Sequence, residues 1–140
     1  MALLASLAWP APADTQFDLK ALRGTVVYLD FWASWCKPCR QSFPWMDELQ
    51  RKYRNRGLLV VAVNVDHEHA QAEQFLNRFS PTFRILFDPA GTLAEKFDVV
   101  GMPSSFLIDK AGSVRKRHTG FRPENEDSID SEVQQLVAEQ

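Results

Sequence analysis

Cysteine is nearly absent from this sequence: Cys36 and Cys39 are the only two in 140 residues. Two sulfurs three positions apart cannot staple a fold, which excludes a disulfide-dense scaffold. An excess of charge of one sign is missing as well. Sixteen Lys and Arg stand against 18 Asp and Glu, leaving a formal net charge of −2. That balance gives no general electrostatic pull toward nucleic acid or anionic lipid. No apolar run approaches the roughly 20 residues that span a bilayer. No internal repeat, low-complexity tract or linker divides the chain. What remains is ordinary globular composition, 45% hydrophobic and 24% charged, at a length that suits one domain.

The N-terminus has a character of its own. Ala2 to Trp9 is apolar and leads into Pro10, Ala11, Pro12, Ala13 and Asp14. A short apolar run closing on Ala-x-Ala is how a secretory signal peptide ends. Its basic first region is missing, because no Lys or Arg precedes Lys20. The expectation is a signal-peptide remnant, or else a disordered tail, over residues 1–13, ahead of one domain over residues 14–140. The remnant reading places the protein in the periplasm or another extracytoplasmic space, secreted or anchored by that segment.

Strands and helices alternate along the rest. The VVYLDFW core of Gly24 to Trp35 is β-branched and aromatic, and apolar on both faces except for Asp30. That pattern predicts a central strand covered on both sides. A helix is expected from about Arg40 to Arg56, with Phe43, Met46, Leu49 and Tyr53 on its apolar face, a kink at Pro44 and a stop at Gly57. Leu58 to Val65 reads as a second buried strand and Ala70 to Phe79 as a helix broken by Ser80-Pro81. Phe83 to Phe87 is a short strand, Asp88 to Gly91 a turn, and Thr92 to Phe97 a short helix. Ser104 to Ile108 and Ser113 to Thr119 form a hairpin, and a last helix runs from about Glu126 to Val137. The result is an α/β sandwich: parallel where helices join the strands, antiparallel at the hairpin.

Cys36-Lys37-Pro38-Cys39 falls between the first strand and the first helix. A sulfur at a helix N-terminus meets unsatisfied backbone N–H groups and the positive end of the dipole, so the Cys36 thiol is expected below its usual range. Lys37 adds a positive charge, and Pro38 suits a first helical turn. The thiolate is the attacking species in disulfide exchange, and Cys39, one turn on, is placed to resolve the mixed disulfide. A zinc site would need two further ligands, with His67 and His69 the local candidates. An inert disulfide would close too short a loop to gain much chain entropy. Redox chemistry is the stronger reading, and it requires no dissociable cofactor and no metal, because the pair itself carries two electrons.

These residues carry a resemblance. Asp30-Phe31-Trp32-Ala33-Ser34-Trp35-Cys36-Lys37-Pro38-Cys39 resembles the active-site segment of the thioredoxin superfamily. Gly101-Met102-Pro103-Ser104-Ser105-Phe106-Leu107-Ile108-Asp109 resembles its cis-proline loop and following strand. Phe17-Asp18-Leu19, Val63-Asn64-Val65-Asp66 and Phe87-Asp88-Pro89-Ala90-Gly91 are similar to the TlpA/ResA-like branch of exported thiol–disulfide oxidoreductases. The resemblance implies a thioredoxin-like fold, a central mixed sheet flanked by helices, with an extra strand–helix unit before the proline loop. It also implies a cis Met102–Pro103 bond facing the cysteines, which leaves the Met102 backbone open to an extended partner strand.

Asp30 would be costly as an unpaired charge in an apolar strand, so its carboxyl is expected to hold its proton more tightly than usual. Such a group behind a cysteine pair can take the Cys39 proton, the role its counterpart has in thioredoxins. Trp35, Lys37, Pro38 and Met102 are the expected substrate contacts, with Trp35 a shield or platform at the sulfurs, and Trp32 is expected in the core. Two departures stand out. Ser42 replaces a glutamate common in the branch, and Ala62 stands where thioredoxins often have a lysine beside the aspartate. His67 and His69 read as a solvated loop and helix start, with Asp66 or Glu68 near a cap. His118 with Arg115, Lys116 and Arg117 reads as a solvated strand face. The resemblance implies a monomeric reductase of protein disulfides in cytochrome c maturation or copper-centre assembly, recharged by a membrane thiol transporter. The alternatives are a thiol oxidase, or a copper-handling factor using the cysteines with His67 or Met102, against which the close cysteine spacing argues.

Overall fold

The computed structural model describes residues 17–140. The expected signal remnant over residues 1–13 lies outside the described residues. Among the described residues, no helix is long and apolar enough to cross a membrane.

The elements follow in the order β1 (Val26–Trp32), α1 (Lys37–Tyr53), β2 (Leu58–Asn64), α2 (His69–Phe79), β3 (Arg84–Phe87), α3 (Thr92–Lys96), β4 (Ser104–Ile108), β5 (Val114–Thr119) and α4 (Glu126–Ala138). Two 3₁₀ turns, Leu19–Leu22 and Pro123–Asn125, complete the chain and carry no sequence signal of the helical kind. The sheet order is β3-β2-β1-β4-β5. β1 is parallel to β2, and β2 to β3, while β4 runs antiparallel to both β1 and β5. This is the mixed sheet expected, with β3 and α3 as the extra strand–helix unit ahead of the proline loop.

β1 is central, and all seven of its residues are buried. Alternation along it divides the core in two. Val26, Tyr28 and Trp32 join α1, α4 and the two cysteines in one cluster. Val27, Leu29 and Phe31 join Val61, Val63, Leu86, Phe106 and Ile108 in the other.

Helix α1 begins three residues before the expected start, because Cys36 serves as its N-cap and Pro38 sits in its first turn. The helix runs continuously through Pro44. Phe43, Met46, Leu49 and Tyr53 form its buried face, and Gln50 adds a polar tie. Strand β3 pairs only with Val61–Asn64, so the start of β2 has an open edge. Gln50 covers it, donating to the Leu58 carbonyl at 2.9 Å and accepting from the Val60 N–H at 2.7 Å. These bonds lock the helix that carries the cysteines onto the sheet.

Candidate active site

The chain leaves β1 at Trp32, turns, and enters α1 at Lys37. Cys36 N–H donates to the Ala33 carbonyl at 3.1 Å, closing that turn. Cys36 and Cys39 are joined by a disulfide with their Cα atoms 5.3 Å apart. Cys36 Sγ accepts the Cys39 N–H at 3.3 Å, so the sulfur occupies the cap position of the helix. Cys39 is fully buried and Cys36 is 3% exposed. Ser42, the residue in place of glutamate, is buried and donates to the Cys39 carbonyl at 3.1 Å.

Asp66 latches this turn from the neighbouring strand end. Its carboxylate accepts from Ser34 N–H at 2.9 Å, Ser34 Oγ at 2.8 Å and Asn64 Nδ2 at 2.7 Å. Sequence reasoning placed Asp66 or Glu68 near a cap. The cap of α2 is Glu68, with no side-chain bond, and Asp66 faces the cysteine turn. The register Trp32↔Asn64 is what brings it there, and nothing local in the sequence reveals it.

The Met102–Pro103 peptide bond is cis. Pro103 is buried, its carbonyl accepts from Gly120 N–H at 2.7 Å, and Ser104 Oγ donates to the Gly101 carbonyl at 2.6 Å. Met102 is half-buried between the two core clusters. Trp35 is 68% exposed and Val100 89%. Lys37 is exposed and Pro38 half-buried. Trp32 is fully buried, with ring centres 4.7 Å from both Phe43 and Phe75, in the core role expected of it.

Asp30 is 2% exposed and lies on the β1 face that carries Tyr28 and Trp32, beneath the cysteine layer. Ala62 of β2 stands opposite it on one side and Ser105 of β4 on the other. Among the described residues, Asp30 Oδ2 has no hydrogen-bond partner, and neither has Trp32 Nε1. Burial pushes the Asp30 carboxyl well above the usual carboxylate range. The same burial, with the Asp30 charge nearby, pushes the Tyr28 phenol up. A carboxyl in this setting can hold or release a proton where an exposed one would simply be ionised.

The histidines are engaged elsewhere. His67 Nδ1 is 3.1 Å from the Pro89 carbonyl and His69 Nε2 is 2.9 Å from Glu73 Oε1. His118 Nε2 is 2.8 Å from Glu132 Oε2. Among the described residues, no group of three or more His, Cys, Asp or Glu could hold a metal ion. The basic run of β5 is the solvated face expected, with some of its side chains paired. Arg115 bonds Asp109 and Glu139, and Arg117 lies over the Phe106 ring at 4.9 Å.

Comparison with known proteins agrees with this geometry. The sequence pattern of the Redoxin family matches residues 7–133. The thiol-disulfide oxidoreductase ResA of Geobacillus thermodenitrificans is 42% identical over 98 residues, which cover 70% of this chain and 56% of that protein. ResA of Bacillus subtilis is 32% identical over 110 residues, covering 79% of this chain and 62% of its own. This chain therefore spans less than two thirds of those relatives. A crystal structure from Chlorobium tepidum, assigned as thiol:disulfide interchange protein DsbE, superposes with a TM-score of 0.84 at 47% identity over 86% of this chain and 85% of that one. The exposed lipoprotein thioredoxin Etrx1 of Streptococcus pneumoniae superposes with a TM-score of 0.73 at 31% identity over 84% and 90%.

Proposed function

Because the chain belongs to the Redoxin family, in its ResA-like branch of the thioredoxin superfamily, we propose that it is a thiol–disulfide oxidoreductase working through Cys36 and Cys39. The observation that carries this reading is the disulfide at the first turn of α1, with Cys36 as the cap, a cis proline in the loop before β4 and a buried carboxyl beneath.

In the reducing direction, the Cys36 thiolate attacks a partner disulfide. A Cys36–partner disulfide forms, and the partner's leaving sulfur takes up a proton. Cys39 passes its thiol proton to the Asp30 carboxylate, and its thiolate attacks Cys36. The partner's second sulfur is released as a thiolate and takes up a proton from solvent, so the partner leaves as a dithiol and the chain is left with the Cys36–Cys39 disulfide, oxidised by two electrons. The backbone N–H groups at the start of α1 favour the Cys36 thiolate throughout. Pro103 and Met102 present an edge to the partner strand, and Trp35, Lys37 and Pro38 line its approach. Partner proteins bearing disulfides are the substrates. We assign the chain to an extracytoplasmic space, as a monomer reducing cysteines in cytochrome c maturation or copper-centre assembly, with a membrane thiol transporter as donor.

The test is the reduction potential of the pair, by equilibration against dithiothreitol and glutathione buffers. A value near or below about −270 mV fits a reductase. One near about −120 mV would reverse the direction of electron flow. Separately, Cys39→Ala should accumulate a stable mixed disulfide through Cys36, whereas Cys36→Ala should form none. Equal trapping by both variants would refute the assignment of attacking and resolving sulfurs.

A further inference from the structure

Reduction of the disulfide draws the Asp30 proton to Cys39, and Asp30 touches almost no solvent from which to recover it. Its surroundings are apolar in most directions. α1 presents Cys39, Phe43 and Met46 to this layer, and β2 presents the methyl group of Ala62. Polarity continues along one line. Ser105 stands directly opposite Asp30 on β4, and His118 directly opposite Ser105 on β5. Directly opposed residues in a sheet share a face. The three side chains therefore form a row from the central strand to the edge strand, two strand spacings or about 10 Å long. At its outer end the His118 and Glu132 side chains are paired at 2.8 Å, each 24% exposed.

We propose that Ser105 and His118 are the route by which Asp30 exchanges its proton with water, a reading that rests on the redox role given to Asp30 above. The relay conserves every proton. When the disulfide is reduced, the Cys39 thiolate takes the Asp30 proton. The Ser105 hydroxyl then passes its own proton to the Asp30 carboxylate and receives one from the His118 imidazolium, which reloads from water. Oxidation runs the same steps backward. Serine can do this because one hydroxyl both accepts and donates. Histidine suits the outer end because its neutral ring has one nitrogen that donates and one that accepts. Tyr28, two residues along β1, shares the face of Asp30. The other ionisable groups facing the row are Tyr28 on β1, Lys116 on the same face of β5, and Glu132 on α4.

The experiment follows reduction of the full oxidised chain by dithiothreitol, read by tryptophan fluorescence from pH 6 to 9. Asp30→Asn, Ser105→Ala and His118→Ala are each expected to slow the step about tenfold near pH 7, a fraction of what direct acid–base groups supply. Ser105→Thr should restore the rate, and added imidazole should rescue His118→Ala. His118→Gln, which keeps a hydrogen-bonding group toward Glu132, should stay slow. Ser105→Ala placed on Asp30→Asn should slow nothing further, because the two act in series. A merely structural role would lower stability without imidazole rescue or a changed pH profile. If Asp30→Asn is slow while Ser105→Ala and His118→Ala match the parent, the relay is wrong and the Asp30 role stands. Should Asp30→Asn itself run at the parent rate, both fall.

Discussion

The two faces of the sheet are built to different standards. One is mostly hydrocarbon: Val27, Leu29 and Phe31 of β1 pack with Val61, Val63, Leu86, Phe106 and Ile108 beneath Leu19, Leu22, Leu93 and Phe97, and the one buried hydroxyl opposite Phe31, that of Ser104, is bonded to the Gly101 carbonyl. The other face holds the disulfide, the buried carboxyl of Asp30, the Tyr28 phenol, Ser105 and the unpartnered Trp32 Nε1. The same strand supplies both, since alternate residues of β1 point opposite ways. The contrast teaches how the molecule tolerates its chemistry. Unsatisfied polarity is concentrated on the face that carries the reacting groups, and the opposite face supplies stability without it.

That division can be broken from either side. The largest effect is expected from the dry face. Phe31→Ala removes a fully buried ring that meets Phe97 and Phe106 at 5.8 Å, and should destabilise the fold by about 3–5 kcal/mol in urea titration. The exchange rate per folded molecule should not change, and a change there would dissolve the distinction between the faces.

Next is the latch. Asp66→Ala strips Ser34 and Asn64 of their acceptor and should destabilise by about 2–3 kcal/mol. Hydrogen exchange at Ser34 and its neighbours should rise with it. Unaltered protection there would mean that the turn is held by other contacts.

Asp30→Ala should act with the opposite sign. Burial raises the folded carboxyl, whereas the unfolded one releases its proton near about 3.9. Between those two values only the folded state keeps the proton, so stability falls as pH rises. It is fully present below the unfolded value and is lost up to the raised one. Removing the carboxyl should therefore stabilise the fold by about 1–2 kcal/mol at pH 8 and by nothing measurable at pH 4. Urea midpoints at the two pH values decide it, and a variant gaining equally at both would place the effect in packing. The smallest change belongs to the surface. Lys52→Ala loses an exposed ion pair with Asp130 and should leave the urea midpoint within replicate scatter.

The parts of the molecule legible in the sequence are those whose signal is local. VVYLDFW identifies the central strand because both its faces are apolar, and Phe43, Met46, Leu49 and Tyr53 mark the inner face of α1 by their spacing. Cys36 and Cys39 announce their chemistry by spacing, type and position before a helix. Asp30 is legible because a lone carboxylate interrupts hydrocarbon. The rest depends on register. Asp66 reaches Ser34 across 32 residues, and Ser105 meets Asp30 and His118 only once β4 lies between β1 and β5. Periodicity carries no information about which strand neighbours which. The early start of α1 was hidden for a smaller reason: the cap is a cysteine, outside the usual Ser, Thr, Asp and Asn.

Strand β5 closes the sheet on one side, and among the described residues no strand lies beside its outer edge. Such an edge is an open template for another chain's backbone. Here the template reads Val114-Arg115-Lys116-Arg117-His118-Thr119, three fixed cations in succession followed by an imidazole. Aligning a second copy on it would set cation against cation along the seam. At the opposite side β3 is only four residues long, too short to guide much pairing. The border of this sheet therefore discourages edge-to-edge pairing with a second copy.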